Sequence, residues 1–197
     1  MNYFHDQTRN KPRSIGVFGL HQHAGVTWVT VLLAQYLSEI CGLEVMLVEK
    51  SQKRDLVCLV SSEEQSEIGA FKIHNITYQT YVERDVRSRL TKHQTDCYVY
   101  DLGCNYAKAR ESILTCDHVI MMYTMTPWYF DYLKASLVLE RDYGSPEHIS
   151  YLGNMVAKRE RKQLKKLIPN SQFMDYEPDL YSPSKQCIQI FHNILWN

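Results

Sequence analysis

The sequence predicts an α/β fold in which a doubly wound, mainly parallel sheet forms the middle of three layers. Short apolar segments rich in β-branched residues alternate with helical segments along all 197 residues. An apolar content of 45% and a charged content of 22% are typical of a globular domain that buries a core. We therefore expect a single domain over residues 1–197, in which the polar residues 1–12 are flexible.

Each element is predicted from its local pattern. Gly42 is typical of the end of a helix and closes the first one. Pro127 is typical of a helix start and precedes the helix predicted at 128–141, and Pro169 stops the helix predicted at 158–168. Segment 50–76 is expected to be a loop with short elements, and 76–82 alternates only weakly between polar and apolar residues. Strands are predicted at 15–18, 44–49, 97–102, 118–123, 148–152 and 172–174. Helices are predicted after Gly25 and at 82–91, 107–115, 128–141, 158–168 and 184–196.

The stretch 14–36, SIGVFGLHQHAGVTWVTVLLAQY, reads as a buried strand, a turn-rich loop and a long apolar helix. Such a helix directs its unpaired N–H groups and its positive dipole end at the loop, an arrangement that suits an anion. A Walker A loop, G-x-x-x-x-G-K-[ST], adds a lysine for the phosphates and a hydroxyl for Mg²⁺. Gly19, Gly25 and Thr27 match this motif, whereas Val26 stands at the lysine position.

The loop sequence HQHAGVTW at 21–28 resembles the deviant Walker A loop, K-G-G-V-G-K-T-T, of the MinD/ParA group of P-loop ATPases. His21 and Val26 replace the two family lysines, while Gln22 and His23 replace two glycines that adopt positive φ more easily. The resemblance implies a P-loop NTPase fold and weak binding of ATP with Mg²⁺. The nucleotide-binding residues that it implies in this stretch are Gly19, His21, His23, Gly25, Val26, Thr27 and Trp28.

Further family landmarks follow in the same order along the chain. Asp101 in VYDLG resembles the Walker B aspartate, which with Thr27 would hold Mg²⁺; the alternative is an aspartate that caps a turn. Asn154 falls where the family has an asparagine that contacts adenine, although Gly153-Asn154 also reads as a simple turn. Glu49 and Ser51 fall on the family's acidic D-x-D segment, and Ser51 departs from it.

Other classes of function find little support in the sequence. His21 and His23 with Asp101 suggest a metal or acid/base site, but histidines at i and i+2 in a loop point in different directions. No G-x-S-x-G or H-E-x-x-H motif occurs. Zero formal charge and a pI near 7.1 disfavour a global attraction to nucleic acid or membrane. The six cysteines lack a CxxC pair, which indicates reduced thiols in a cytoplasmic protein.

Two segments are candidate contact surfaces. The basic stretch 158–166, KRERKQLKK, could bind DNA phosphates, or it could be a solvated helix face. The amphipathic stretch 187–196, CIQIFHNILW, resembles the membrane helix of MinD relatives but has only Lys185 beside it, so packing on the sheet is favoured. The candidate DNA-contacting residues are Lys158, Arg159, Arg161, Lys162, Lys165 and Lys166.

These observations predict a degenerate MinD/ParA-like pseudo-ATPase that positions or assembles other proteins. The resemblance implies a homodimer or a pair with a homologous subunit, and service to pilus (TadZ/CpaE-like), secretion or division machinery. Membrane binding is not expected, except at the inner membrane through partners. One alternative is an active ATPase in which His21 or a partner's residue replaces the lysines. The other is a DNA-binding partition-type protein.

Overall fold

The computed structural model describes residues 13–51, 53, 55–59, 70–80, 95–143 and 148–196, without the side chains of 127 and 139–143. The predicted flexible segment 1–12 and the predicted helix 82–91 lie outside these residues.

Within the described ranges, eight strands form one sheet in the order β3-β4-β2-β5-β1-β6-β7-β8. Every neighbouring pair is parallel except the pair of β3 and β4, which is antiparallel. The six predicted strands correspond to β1, β2, β5, β6, β7 and β8 with boundaries shifted by two residues at most. The strands are β1 Arg13–Gly19, β2 Val45–Glu49, β3 Ala70–Ile73, β4 Ile76–Gln79, β5 Cys97–Asp101, β6 His118–Tyr123, β7 Ile149–Asn154 and β8 Gln172–Met174.

The hairpin of β3 and β4 is the main feature that the sequence prediction missed. Its two strands have four residues each, and its turn is His74-Asn75, in which His74 adopts a φ of 53°. The turn lacks the glycine of the common Asn-Gly signal, so nothing in the sequence marks it strongly. The hairpin extends the sheet beyond β2, to which β4 pairs in parallel.

Five α-helices of the described residues pack on the sheet. The helix predicted at 128–141 begins two residues later, at Phe130, because Pro127–Tyr129 forms a separate 3₁₀ turn before it. Gly42, with a φ of 70°, follows the π-helical turn Tyr36–Ile40 that extends the first helix. A second 3₁₀ helix lies at Asp55–Leu59. The helices are α1 Val26–Gln35, α2 Tyr106–Thr115, α3 Phe130–Tyr143, α4 Lys158–Leu167 and α5 Lys185–Trp196.

Two apolar layers confirm the three-layer arrangement. Alternate residues of the central strands enter opposite layers, as Ile120 and Met121 of β6 do. One layer contains residues of α1 and α5, and the other contains residues of α2, α3 and α4. The apolar face of α5 is buried in the first layer through Cys187, Ile190, Phe191 and Ile194. The terminal amphipathic stretch therefore packs on the sheet, as predicted.

All six cysteines lie in the described part of the chain and all are free thiols, as expected. Among the described residues, no helix combines the length and the apolar character needed to cross a bilayer.

Candidate functional site

A cleft of about 190 Å³ opens at the carboxyl ends of β1, β2 and β5, where the loop after β1 meets the start of α1. This edge of a parallel sheet is where open α/β folds place ligands. Seven of the nine predicted nucleotide-binding residues line the cleft, while Gly19 ends the strand below it and Asn154 contacts the loop from β7. The described lining residues are His21, His23, Ala24, Gly25, Val26, Thr27, Trp28, Ser51, Lys53, Asp55, Asp101, Gly103 and Cys104.

Gly25 begins α1 in a left-handed conformation, with a φ of 91°. The backbone angle favours glycine, and a Cβ at this position would also displace the Nδ2 group of Asn154. Nδ2 of Asn154 donates a hydrogen bond to the carbonyl oxygen of Ala24 at 3.1 Å. Asn154, predicted to contact adenine, therefore holds the loop itself in this structure.

Thr27 and Asp101, the pair predicted to hold Mg²⁺, are hydrogen-bonded to each other. Oγ1 of Thr27 donates to Oδ2 of Asp101 at 2.6 Å, and the backbone N–H of Gly103 donates to Oδ1 at 2.9 Å. Asp101 is fully buried; burial raises the pKa of its carboxyl group, while these two hydrogen bonds oppose the rise. A hydroxyl and a carboxylate oxygen thus converge on the floor of the cleft, a donor set that fits Mg²⁺.

Val26 occupies the position of the Walker lysine without supplying its charge. Its side chain is buried, and its Cγ2 would lie only 2.7 Å from a Cβ on Gly19. The valine therefore packs against the end of β1, in a place that requires glycine at position 19. The backbone N–H groups of Gly25, Val26 and Thr27 have no hydrogen-bond acceptor among the described residues, as expected at a helix start.

His21 is a buried structural residue of the loop. Its Nδ1 lies 2.6 Å from the carbonyl oxygen of Gln22, and its Nε2 lies 3.2 Å from the backbone nitrogen of Thr124. Because the Thr124 N–H can only donate, we assign the imidazole proton to Nδ1. Burial lowers the pKa of His21, so the ring is neutral near pH 7. His21 therefore supplies no positive charge that could replace the missing lysines.

The two loop histidines do not form a metal site together. His23 is exposed with a φ of 63°, whereas His21 is directed at Thr124. No cluster of three or more His, Cys, Asp or Glu side chains suited to a metal is found in the described part of the chain.

Glu49 lies beside Asp101 at the end of β2. Its Oε1 accepts hydrogen bonds from Oγ of Ser51 at 3.0 Å and from the backbone N–H of Asp55 at 2.7 Å. Its Oε2 is buried without a hydrogen-bond partner among the described residues, and burial raises the pKa of this carboxyl group. Glu49 and Ser51 therefore shape the loop after β2, and the loop carries Lys53 into the cleft.

The sequence prediction missed several residues of the site. Thr124 and Tyr129 contact His21, and Lys53 and Cys104 line the cleft. Lys53 lies in a charged turn that the sequence shows clearly. The contacts of Thr124 and Tyr129 with a residue more than 100 positions earlier follow only from the pairing of β1 with β6.

The basic segment forms α4, and most of its cations are exposed. Arg161 is the exception, because its guanidinium pairs with Asp175 and donates to the carbonyl oxygen of Val156 at 2.9 Å. The exposed cations of α4 are Lys158, Arg159, Lys162, Lys165 and Lys166.

Neither the models of known protein families nor the sequences of curated proteins match this chain. Solved structures do match over nearly the full length. A plasmid partition protein from Borrelia burgdorferi bound to AMPPNP has a TM-score of 0.67 at 15% identity, with 94% of this chain and 97% of that chain covered. A ParA family ATPase from Chlorobium tepidum has a TM-score of 0.65 at 13% identity, with coverages of 92% and 97%.

A third similar structure is the septum site-determining protein MinD from Pyrococcus horikoshii, complexed with Mg-ADP. Its TM-score is 0.63 at 15% identity, with 93% of this chain and 94% of that chain covered. Together with the sheet order and the loop between β1 and α1, these similarities show that the chain has the fold of the MinD/ParA-type P-loop ATPases.

Proposed function

We propose that this chain is a pseudo-ATPase that does not turn over ATP at a useful rate and that acts as a positioning or assembly factor for other proteins. One observation carries the proposal: the loop between β1 and α1 contains no lysine or arginine. Val26 is apolar and buried, and His21 is neutral and bonded to Thr124.

Phosphoryl transfer depends almost wholly on positioned positive charge and Mg²⁺. Each lost electrostatic donor costs on the order of 100- to 1000-fold in rate. Both lysines of the deviant loop are replaced in this sequence, so we expect their combined loss to suppress turnover.

Weak nucleotide binding is compatible with this chemistry. The N–H groups at the start of α1, the hydroxyl of Thr27 and the carboxylate of Asp101 suit a phosphate group accompanied by Mg²⁺. The AMPPNP and Mg-ADP held by two proteins of the same fold support a nucleotide as the ligand.

Release of inorganic phosphate from ATP tests the proposal. Purified protein, alone and with candidate partners, is expected to show no turnover above that of the Asp101→Ala variant. Robust turnover that disappears in Asp101→Ala would instead support the alternative of an active ATPase with an atypical loop.

The role as an assembly factor requires protein partners. We propose a homodimer, or a pair with a homologous subunit, that serves pilus, secretion or division machinery from the cytoplasm and reaches the inner membrane only through those partners. Large apolar side chains exposed near the carboxyl edge of the sheet support a contact surface there, because such patches commonly mark protein interfaces. These residues are Trp128, Tyr132, Met155 and Tyr176.

DNA binding through α4 is a second candidate function, favoured by the five exposed cations of that helix. Removing Lys162, Lys165 and Lys166 together should weaken binding to duplex DNA of any sequence. The number of counterions released on binding, measured from the salt dependence of the binding constant, should also fall by about two to three. A matched variant without the exposed Lys72, Lys108 and Lys134 has the same net charge and should bind as the wild type does. Equal losses in both variants would indicate a general charge effect and contradict a role for α4.

A further inference from the structure

Lys53 is a cation that the loop after β2 places at the cleft. It follows the end of β2 by four residues and lines the cleft together with Thr27 and Asp101. Among the described lining residues it is the only lysine or arginine. Its position in the chain differs from that of either lysine of the deviant Walker A loop, so the motif comparison could not identify it.

Lys53 lines the same cleft as Asp101, whose carboxyl group lies on the cleft floor. Lys53 itself is exposed and forms no ion pair with any described residue. No carboxylate among the described residues therefore competes with a ligand for its ammonium group.

The nearby Lys50 is already engaged elsewhere. Its Nζ donates a hydrogen bond to Oγ of Ser112 in α2 at 2.7 Å and lies 4.1 Å from the centre of the Tyr100 ring. Lys50 does not line the cleft. Of the two described lysines in the loop directly after β2, Lys53 is thus the one that lines the cleft.

We propose that Lys53 is the phosphate-binding cation of this cleft and that it replaces the lysines that the loop between β1 and α1 has lost. The ligand class is a polyphosphate, as in a nucleoside di- or triphosphate, and the inference rests on the proposed nucleotide-binding role of the cleft. A lysine provides a mobile point charge on a flexible stem, so it can contact a phosphate from a different part of the chain. Such a contact holds a phosphate without the fixed geometry that turnover requires.

The carboxylates of Asp55 and Asp101 oppose an anion in the same cleft. They make the charge of Lys53 more important, because no other lysine or arginine among the described lining residues offsets them when Mg²⁺ is absent. The effect of removing Lys53 should therefore be greatest when Mg²⁺ is absent.

Calorimetric titration with ATP and with inorganic pyrophosphate, at low ionic strength and with or without Mg²⁺, tests the proposal. We expect Lys53→Ala to weaken binding of both probes about tenfold or more, the loss typical of one charge-assisted contact. Lys53→Arg should retain most of the affinity. Lys185→Ala, an exposed lysine at the start of α5 with the same change in net charge, should bind as the wild type does.

Unchanged affinity in Lys53→Ala, or no binding of either probe by the wild-type protein, would overturn the assignment of Lys53. Neither result bears on the lack of turnover. Conversely, phosphate release by the wild-type protein would refute the pseudo-ATPase proposal, whereas a Lys53→Ala defect in binding would still support this cation. The two proposals can therefore fail separately.

Discussion

The imidazole ring of His21 lies parallel to the phenol ring of Tyr129, with 3.6 Å between ring centroids and 3° between ring planes. Tyr129 belongs to the 3₁₀ turn before α3, so the stack joins the loop after β1 to the segment after β6. Thr124 adds two contacts to the same imidazole, from its backbone N–H and from its hydroxyl group. His21 stands at a position that is a lysine in the deviant Walker A loop. In this chain its side chain instead connects the loop to Thr124 and Tyr129.

The stack can be tested by substitution of Tyr129. We expect Tyr129→Ala to lower the free energy of unfolding, with about 1 kcal/mol due to its coupling with His21. A double-mutant cycle with His21→Ala, measured by chemical denaturation, isolates this coupling. Tyr181→Ala is the control, because that tyrosine is 44% exposed and belongs to a different part of the chain. A coupling energy of zero would contradict the role of the stack.

The contribution of the buried histidines to stability should decrease as the pH falls from about 6.5 toward 4. Burial lowers the pKa of His118 to about 4 and also lowers that of His21, while both have ordinary values near 6.5 in the unfolded chain. Between these values the unfolded state binds more protons, so acid favours unfolding. Glu49 and Asp101 act in the opposite direction, because burial raises the pKa of each carboxyl group.

Comparison with a His118→Gln variant isolates the histidine contribution. Glutamine can retain a hydrogen bond to Ser150, whose Oγ lies 3.1 Å from Nε2 of His118. Between pH 6.5 and pH 4 the difference in unfolding free energy between the two proteins should change by about 2–3 kcal/mol. The wild type should lose more stability than the variant as the pH falls. Parallel curves for the two proteins would show that His118 is protonated as easily in the folded as in the unfolded state.

Restoring the Walker lysine alone should not restore turnover. In Val26→Lys a charged side chain replaces one that packs against the end of β1. We expect tighter binding of ATP, because the new cation can extend into the cleft that Val26 lines, but no measurable release of phosphate. His21 remains fixed on Thr124, and Gln22 and His23 still replace glycines of the loop. Phosphate release in this single variant at rates common among ATPases, which are on the order of 1 per second or more, would show that the rest of the loop is competent.

Self-association should depend on the cleft-bearing edge of the sheet. Trp28 lines the cleft and stacks on Tyr176, which is 66% exposed, with 6.2 Å between ring centroids. We expect Tyr176→Glu to shift a dimer toward monomer in sedimentation experiments, because it places a charge on an apolar contact surface. Leu114→Glu, on α2 and 46% exposed, should have no such effect. A wild-type protein that stays monomeric at high concentration, with and without ATP, would contradict the dimer.

Much of the fold could be predicted because its central strands are continuous apolar runs, as buried parallel strands are. The stretches VMLV in β2 and VIMM in β6 are examples. The hairpin of β3 and β4 lacks such a run and a strong turn signal, so pairing with β2 decides its structure. In the site, the motif predicted the closeness of Thr27 and Asp101, because Asp101 ends β5 and Thr27 follows the loop after the neighbouring strand β1. The partners of His21 and Asn154 depend on side-chain directions that spacing along the sequence does not specify.

Contacts from three strands hold the loop between β1 and α1. Asp101 at the end of β5 binds Thr27, Thr124 after β6 binds His21, and Asn154 at the end of β7 binds the carbonyl oxygen of Ala24. The loop conformation is thus specified by the protein's own side chains. Binding of a ligand should therefore add little further order to the loop. The amount of correctly folded protein in a cell should then be insensitive to the supply of ATP, and the chain can present the same surface to its partners in starved and growing cells.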